Sequence, residues 1–226
     1  MTREQKNLLF SMCFGDGCAR ERTNGTTAKL YGEFALTHCK KQQPYLEWKL
    51  DLLHSIIGGK RPKVYEWVRK RKIGGVSPFT TEVCFKKVHP YFKVIRRMMY
   101  KKGVKTFSRP VLNRLSLLGI MMWYLDDGNL APIIRGGKLR TYHVQLIICR
   151  PFEEMKQIRS YFKEVWGITW VINKHGKTCH KLRMGKTKGG EEFIKTLYPL
   201  VKRYVPSMLY KVDVNLSPRV QNIQIG

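Results

Sequence analysis

Apolar and polar positions along the chain follow a pattern that is laid down twice. A nearly uncharged run, Asn7-Leu-Leu-Phe-Ser-Met-Cys-Phe-Gly-Asp-Gly17, opens the first round. Its counterpart, Leu115-Ser-Leu-Leu-Gly-Ile-Met-Met-Trp-Tyr-Leu-Asp-Asp-Gly128, opens the second. Both read as helices that stop at Asp-Gly. A Gly- and Arg-containing stretch follows each, and then alternation sets in. Leu30, Phe34 and Leu36 share one parity, whereas Lys29, Tyr31, Glu33 and Thr37 share the other, which predicts a half-buried strand with one wet face. The second round has Thr141-Tyr-His-Val-Gln-Leu-Ile-Ile-Cys149, and setting Cys39 on Cys149 puts Leu36 on Leu146 and Phe34 on Val144.

Pro-led helices are predicted over 44–57 and 151–166. Two further strands come after each (63–72 with 78–86, and 168–173 with 178–184), and closing helices cover 90–100 and 190–203. The pattern therefore predicts an α+β fold class of two pseudo-symmetric αββαββα halves, residues 1–104 and 105–226, with an irregular tail from residue 212.

Charge narrows the function. The 226 residues carry 43 Lys and Arg against 16 Asp and Glu, a formal net charge of +27. An excess of that size calls for a polyanionic partner, and a phosphate backbone is the first choice. An anionic membrane is the rival, but no run approaches a spanning helix and the charge is spread along the chain. The six cysteines form no CxxC pair and sit largely in apolar runs, so they read as small core residues in a reducing compartment. His175, Cys179 and His180 lack a second ligand pair at zinc-finger spacing. No signal-peptide pattern opens the sequence, and no large domain or transit peptide is expected before the first motif.

Three aspartates, Asp16, Asp126 and Asp127, lie in the two Asp-Gly segments. One Asp-Gly after an apolar run is an ordinary helix end, but two at repeat spacing with the same elements behind each are not. Phe10-Ser-Met-Cys-Phe-Gly-Asp-Gly17 and Met121-Met-Trp-Tyr-Leu-Asp-Asp-Gly128 resemble the paired motifs of the LAGLIDADG homing endonucleases, single-chain type. Ser11 and Gly15 keep the small residues of that pattern, whereas Met122 stands where a small one is usual. The resemblance implies a saddle of two sheets, with the motif helices packed at a central interface. It also implies metal binding by Asp16 and Asp127, with Gly15 and Asp126 contributing through backbone carbonyls, and Mg²⁺ or Mn²⁺ as cofactor. A carboxylate at a helix C-terminus, beside the negative pole of the dipole, invites such a cation, and Gly17 and Gly128 are expected to be left-handed helix stops.

Some members of that family place a lysine near the cut in each half. Lys105, in Lys105-Thr-Phe-Ser-Arg109, and Lys211, in Pro206-Ser-Met-Leu-Tyr-Lys211, resemble them and join Asp16 and Asp127 as candidate catalytic residues. Gln145 is a candidate for ordering solvent at a strand end, and His38 is the nearest polar group in the first half. The wet parity offers Lys29, Tyr31, Glu33, Arg69, Arg71, Arg140, His143, Lys181 and Arg183 as the DNA-binding face.

The implied activity is site-specific cleavage of double-stranded DNA by a monomer, leaving 3′ overhangs, as in intron homing. The alternatives are an intron RNA maturase and a non-catalytic DNA-binding regulator on the same fold; retention of both aspartates favours the nuclease. Organelle, phage and bacterial origins all suit an intracellular protein that works at DNA.

Overall fold

The computed structural model describes residues 1–23, 30–70, 79–176, 179–185, 188–218 and 220–221. The chain divides into two compact units, Met1–Lys105 and Thr106–Gly226. Unit one runs α1 (Arg3–Ser11), β1 (Cys18–Thr23), β2 (Leu30–Cys39), α2 (Gln43–Ile57), β3 (Tyr65–Lys70), β4 (Phe79–Val88) and α3 (Tyr91–Met99). A short hairpin of β5 (Tyr100–Lys101) and β6 (Val104–Lys105) closes it. Unit two adds one turn of helix, α4 (Arg109–Leu112), and then repeats the order: α5 (Leu117–Asp127), β7 (Gly128–Arg135), β8 (Lys138–Arg150), α6 (Phe152–Trp166), β9 (Val171–His175), β10 (Cys179–Met184) and α7 (Lys188–Tyr204). The αββαββα order is thus present twice, and the tail carries 3₁₀ turns at Pro206–Lys211 and Val214–Leu216.

Each unit holds one antiparallel four-stranded sheet, in the orders β1-β2-β4-β3 and β7-β8-β10-β9. Strand parity decides which side is dry. In unit one Ala19 faces Phe34, Leu36 faces Phe85 and His38 faces Val83, and this row lies under α2 and α3. Phe34 stacks on Phe92 of α3 at 5.4 Å and tilts against Phe85 at 5.8 Å, which makes it the hinge of the first core. In unit two Leu130 faces Val144 and Leu146 faces Leu182. There the indole of Trp123 stacks between Phe107 (5.1 Å) and Phe162 of α6 (5.9 Å).

Local signals place the helices. Thr2 and Gln5 form a reciprocal capping box at the start of α1, and the Ser116 side chain accepts from Gly119 N–H at the start of α5. A left-handed Gly167 (φ 66°) ends α6.

Two features depart from the sequence pattern. Strand β8 is longer than its alternation suggests and carries two irregularities, one opposite the Ile133/Ile134 step and one opposite the His180/Leu182 step. At the second, Cys149 takes a positive φ of 52° and is exposed, so it is no core residue, unlike the buried Cys13 and Cys84. Among the described residues no helix is long and apolar enough to cross a membrane.

Candidate active site and nucleic-acid interface

The two motifs reach their aspartates by different backbones. In unit two α5 stays helical through Asp127. In unit one the α-helix stops at Ser11 and residues 12–16 continue as tight turns, with Cys13 N–H donating to Phe10 O and Phe14 N–H to Ser11 O. The dipole argument therefore applies to Asp127 but not directly to Asp16.

Neither motif glycine is a left-handed stop: Gly128 has φ −85°, ψ 156°, and Gly17 is not among the positive-φ residues. What each lacks is room. A Cβ at Gly17 would lie 2.0 Å from Met12 O, and one at Gly128 2.3 Å from Tyr124 O. The chain doubles back so tightly from helix to strand that only hydrogen fits on the inside.

Beside each aspartate a lysine ammonium is lodged on backbone carbonyls. Lys105 Nζ donates to Gly15 O at 2.5 Å and Gly17 O at 3.1 Å. Lys211 Nζ donates to Leu125 O at 2.6 Å and Asp126 O at 3.3 Å. Lys211 is itself held by its own carbonyl, which accepts from the hydroxyl of buried Tyr124 at 3.0 Å. The carbonyls of Gly15 and Asp126, candidate metal donors, thus face a cation already.

The carboxylates are braced differently. His38 Nδ1 lies 3.3 Å from Asp16 Oδ2, with the imidazole buried against Tyr45 of α2 and the carboxylate half exposed. Asp127 Oδ2 instead accepts from the indole N–H of Trp123, one turn earlier on the same helix, at 3.1 Å. Gln145 faces Asn129, just after the second motif, and accepts from Lys181 Nζ at 3.2 Å.

The opposite row of each sheet is polar and basic. In unit one Arg20 faces Glu33 and Arg22 faces Tyr31, while Trp67 faces Glu82 and Arg69 faces Thr80. Arg20, Trp67, Arg69, Glu82 and Lys86 line a groove of about 800 Å³ with Asp16 at its edge. Glu33 is nearly buried and pairs with Arg22 at 3.5 Å. In unit two His143 faces Ala131, Arg183 faces Gln145 and Val171, and Lys181 faces Asn173. Burial first, and then the charges of Arg183 and Lys181, hold His143 below the ordinary imidazole value.

Arg140 faces no residue of β7. It is the extra residue of the first β8 irregularity, skipped where Ile133 faces Thr141 and Ile134 faces Leu139. Lys29 and Arg71 lie outside the described residues.

Residues 7–191 match the LAGLIDADG DNA endonuclease family. The chain belongs to that family. Among solved LAGLIDADG proteins, the homing endonuclease I-WcaI bound to its DNA recognition sequence superposes with a TM-score of 0.67, at 17% identity, over 94% of this chain and 87% of that one. The meganuclease I-AabMI bound to uncleaved DNA gives 0.53 at 10% identity, covering 98% of both chains. A Protein RecA of Mycolicibacterium chitae is 24% identical over 223 residues, covering 94% of this chain and 47% of the relative. The chain thus spans about half the length of the curated relatives it matches.

Four residues of this LAGLIDADG chain escaped the sequence reading. Arg20 and Arg22 sit in a run whose alternation is hidden by charge on both faces, Cys18-Ala-Arg-Glu-Arg-Thr23. Trp67 and Glu82 pair across strands, the indole N–H donating to Glu82 Oε2 at 3.2 Å, and no spacing rule links positions so far apart in sequence.

Proposed function

We propose that this protein is a site-specific double-strand DNA endonuclease. It hydrolyses phosphodiesters of a long asymmetric target with a divalent metal, Mg²⁺ or Mn²⁺, and leaves 3′ overhangs. One observation, repeated in each unit, carries the reading: a motif aspartate stands beside a lysine ammonium lodged on the motif's own carbonyls, at the edge of a basic strand face.

The donors suit a hard cation. Asp16 and Asp127 offer the oxygen ligands that Mg²⁺ and Mn²⁺ prefer, and the Gly15 and Asp126 carbonyls, each already accepting from a lysine, would join them through their second lone pair. When bound, the metal would supply Lewis-acid polarisation of a phosphoryl oxygen. The remaining work falls to the chain. Lys105 and Lys211 keep fixed positive charge where negative charge develops on the phosphate. Lys181, Arg183, Arg69 and the missed Arg20 and Arg22 neutralise phosphates or meet base edges in the major groove, and Tyr31, Glu33 and His143 add shorter-range contacts. The two units differ at most of these positions, so the target differs between its halves, and a single polypeptide suffices as the working monomer.

The experiment is selection from a randomised duplex library, followed by incubation of the recovered duplex with Mg²⁺. Cutting of both strands that disappears in Asp16→Asn and Asp127→Asn, with binding retained, is the expected result. Enrichment of a sequence that is then never cut, with Mg²⁺ or Mn²⁺, would make the protein a DNA-binding regulator. Stronger binding to structured RNA than to any duplex would make it a maturase.

A further inference from the structure

We propose that His38 is the positioning residue of one half-site and Trp123 that of the other, so that the two DNA strands are cut through chemically unequal centres and can be uncoupled by single substitutions. This rests on the endonuclease reading above and assigns each motif carboxylate to one strand.

The inference follows from an exchange between equivalent positions. The strand that follows each motif fixes the correspondence: Cys18 faces Ala35 in unit one, and Asn129 faces Gln145 in unit two. His38 therefore corresponds to Ile148. Counting back four residues from each aspartate, Met12 corresponds to Trp123. In unit one the residue four before the aspartate, just past the end of α1, is a thioether that cannot donate N–H, and the strand position is an imidazole 3.3 Å from Asp16 Oδ2. In unit two the strand position is aliphatic and the helix position supplies an indole N–H 3.1 Å from Asp127 Oδ2. Each unit thus sets a ring nitrogen on its carboxylate, taken from opposite places.

Backbone geometry preserves the exchange. Strand β2 runs in unbroken register past His38, with Leu36 on Phe85 and His38 on Val83. The matching end of β8 is irregular between its Leu182 and His180 pairings and turns through the positive φ of Cys149. Ile148 has no polar atom to bring to Asp127, and the strand that carries it is bent as well.

The two braces differ in kind. His38 Nδ1 stands 3.3 Å from Asp16 Oδ2 across the chain fold, on a side chain clamped by Tyr45 of α2. The indole donates to Asp127 within a single helix. Groups of this sort orient a carboxylate without touching the reacting phosphate, and losing one typically lowers metal affinity or rate by about 10–100-fold.

The test uses a supercoiled plasmid carrying the duplex recovered by selection, with each strand end-labelled separately after linearisation. His38→Ala should slow one strand by about 10–100-fold and leave the other unchanged, so that nicked plasmid accumulates. Trp123→Phe, which keeps a buried ring and removes the N–H, should slow the opposite strand. His38→Asn, whose amide N–H sits where Nδ1 does, should restore the first strand.

A second readout does not depend on turnover. Mn²⁺ titrated into the protein bound to an uncleavable version of the duplex should show two sites, with one weakened in His38→Ala and the other in Trp123→Phe. Thermal melting and duplex affinity confirm that each variant is folded. Equal slowing of both strands, unchanged rates on both, or loss of both Mn²⁺ sites together overturns the assignment. If the unsubstituted protein binds but cuts neither strand, the endonuclease reading fails first and carries this one with it. That result is distinct, because it appears before any His38 variant is made.

Discussion

Asp16 and Asp127 each precede a glycine that is there for want of space. Alanine at either position would drive its methyl into a backbone carbonyl, at 2.0 Å in one case and 2.3 Å in the other. Gly17→Ala and Gly128→Ala should each destabilise by about 1–3 kcal/mol, read as a lower melting temperature; an unchanged midpoint would show that the turn relaxes freely. The lysines can be tested at the same scale. Lys105→Met and Lys211→Met should lower the cutting rate by about a hundredfold while duplex affinity barely moves, because one fixed charge at the phosphate is lost and many elsewhere remain. His89 and His143 predict a pH effect. Burial, and then Lys87 for His89 or Arg183 and Lys181 for His143, hold both below the ordinary 6.5. The fold prefers their neutral forms, so the unfolded chain takes up more protons as pH falls through 6.5. Their contribution to stability is thus complete above 6.5 and is lost as pH drops through the folded values. Melting between pH 7.5 and 5.5 should show the decline, and the double His→Gln variant should flatten it. Sequence made the aspartates legible through their repetition. It misjudged the glycines, because a residue's name does not reveal whether conformation or crowding selected it.

At the scale of elements, alternation identified the strands and their dry faces, and Pro-led starts identified α2 and α6. Where the strand is regular the polar parity holds, as for Tyr31, Arg69 and Arg183, although Glu33 in that row is buried rather than wet. Alternation alone does not place Arg140, because an irregularity shifts parity without leaving a mark in composition. It was also silent on Arg20, Arg22, Trp67 and Glu82, whose neighbours across strands cannot be inferred from one sequence. The dry face offers its own test. Phe34 is fully buried between Phe85 and Phe92, and Phe34→Ala should destabilise unit one by about 3–5 kcal/mol. Denaturant unfolding that shows no shift in midpoint would mean that this ring cluster is not the centre of the core.

For the molecule as a whole, the repeated αββαββα order was visible in the sequence because each round opens on an uncharged run in an otherwise charged chain. The net charge of +27 has its consequence here rather than at any one residue. If six or more phosphates are neutralised on binding, affinity for duplex should fall by about a thousandfold or more between roughly 50 and 200 mM salt. A flat salt response would mean that the charge serves something other than a phosphate backbone.

The lysine cradles also set a timetable. Lys105 ends the first unit and closes onto Gly15 and Gly17, whereas Lys211 must come back to α5 from beyond α7. Domains fold in order as a chain leaves the ribosome. A nascent chain therefore finishes one cradle while the other has its aspartate but no ammonium, and a product terminated ahead of Pro206 would stay in that state.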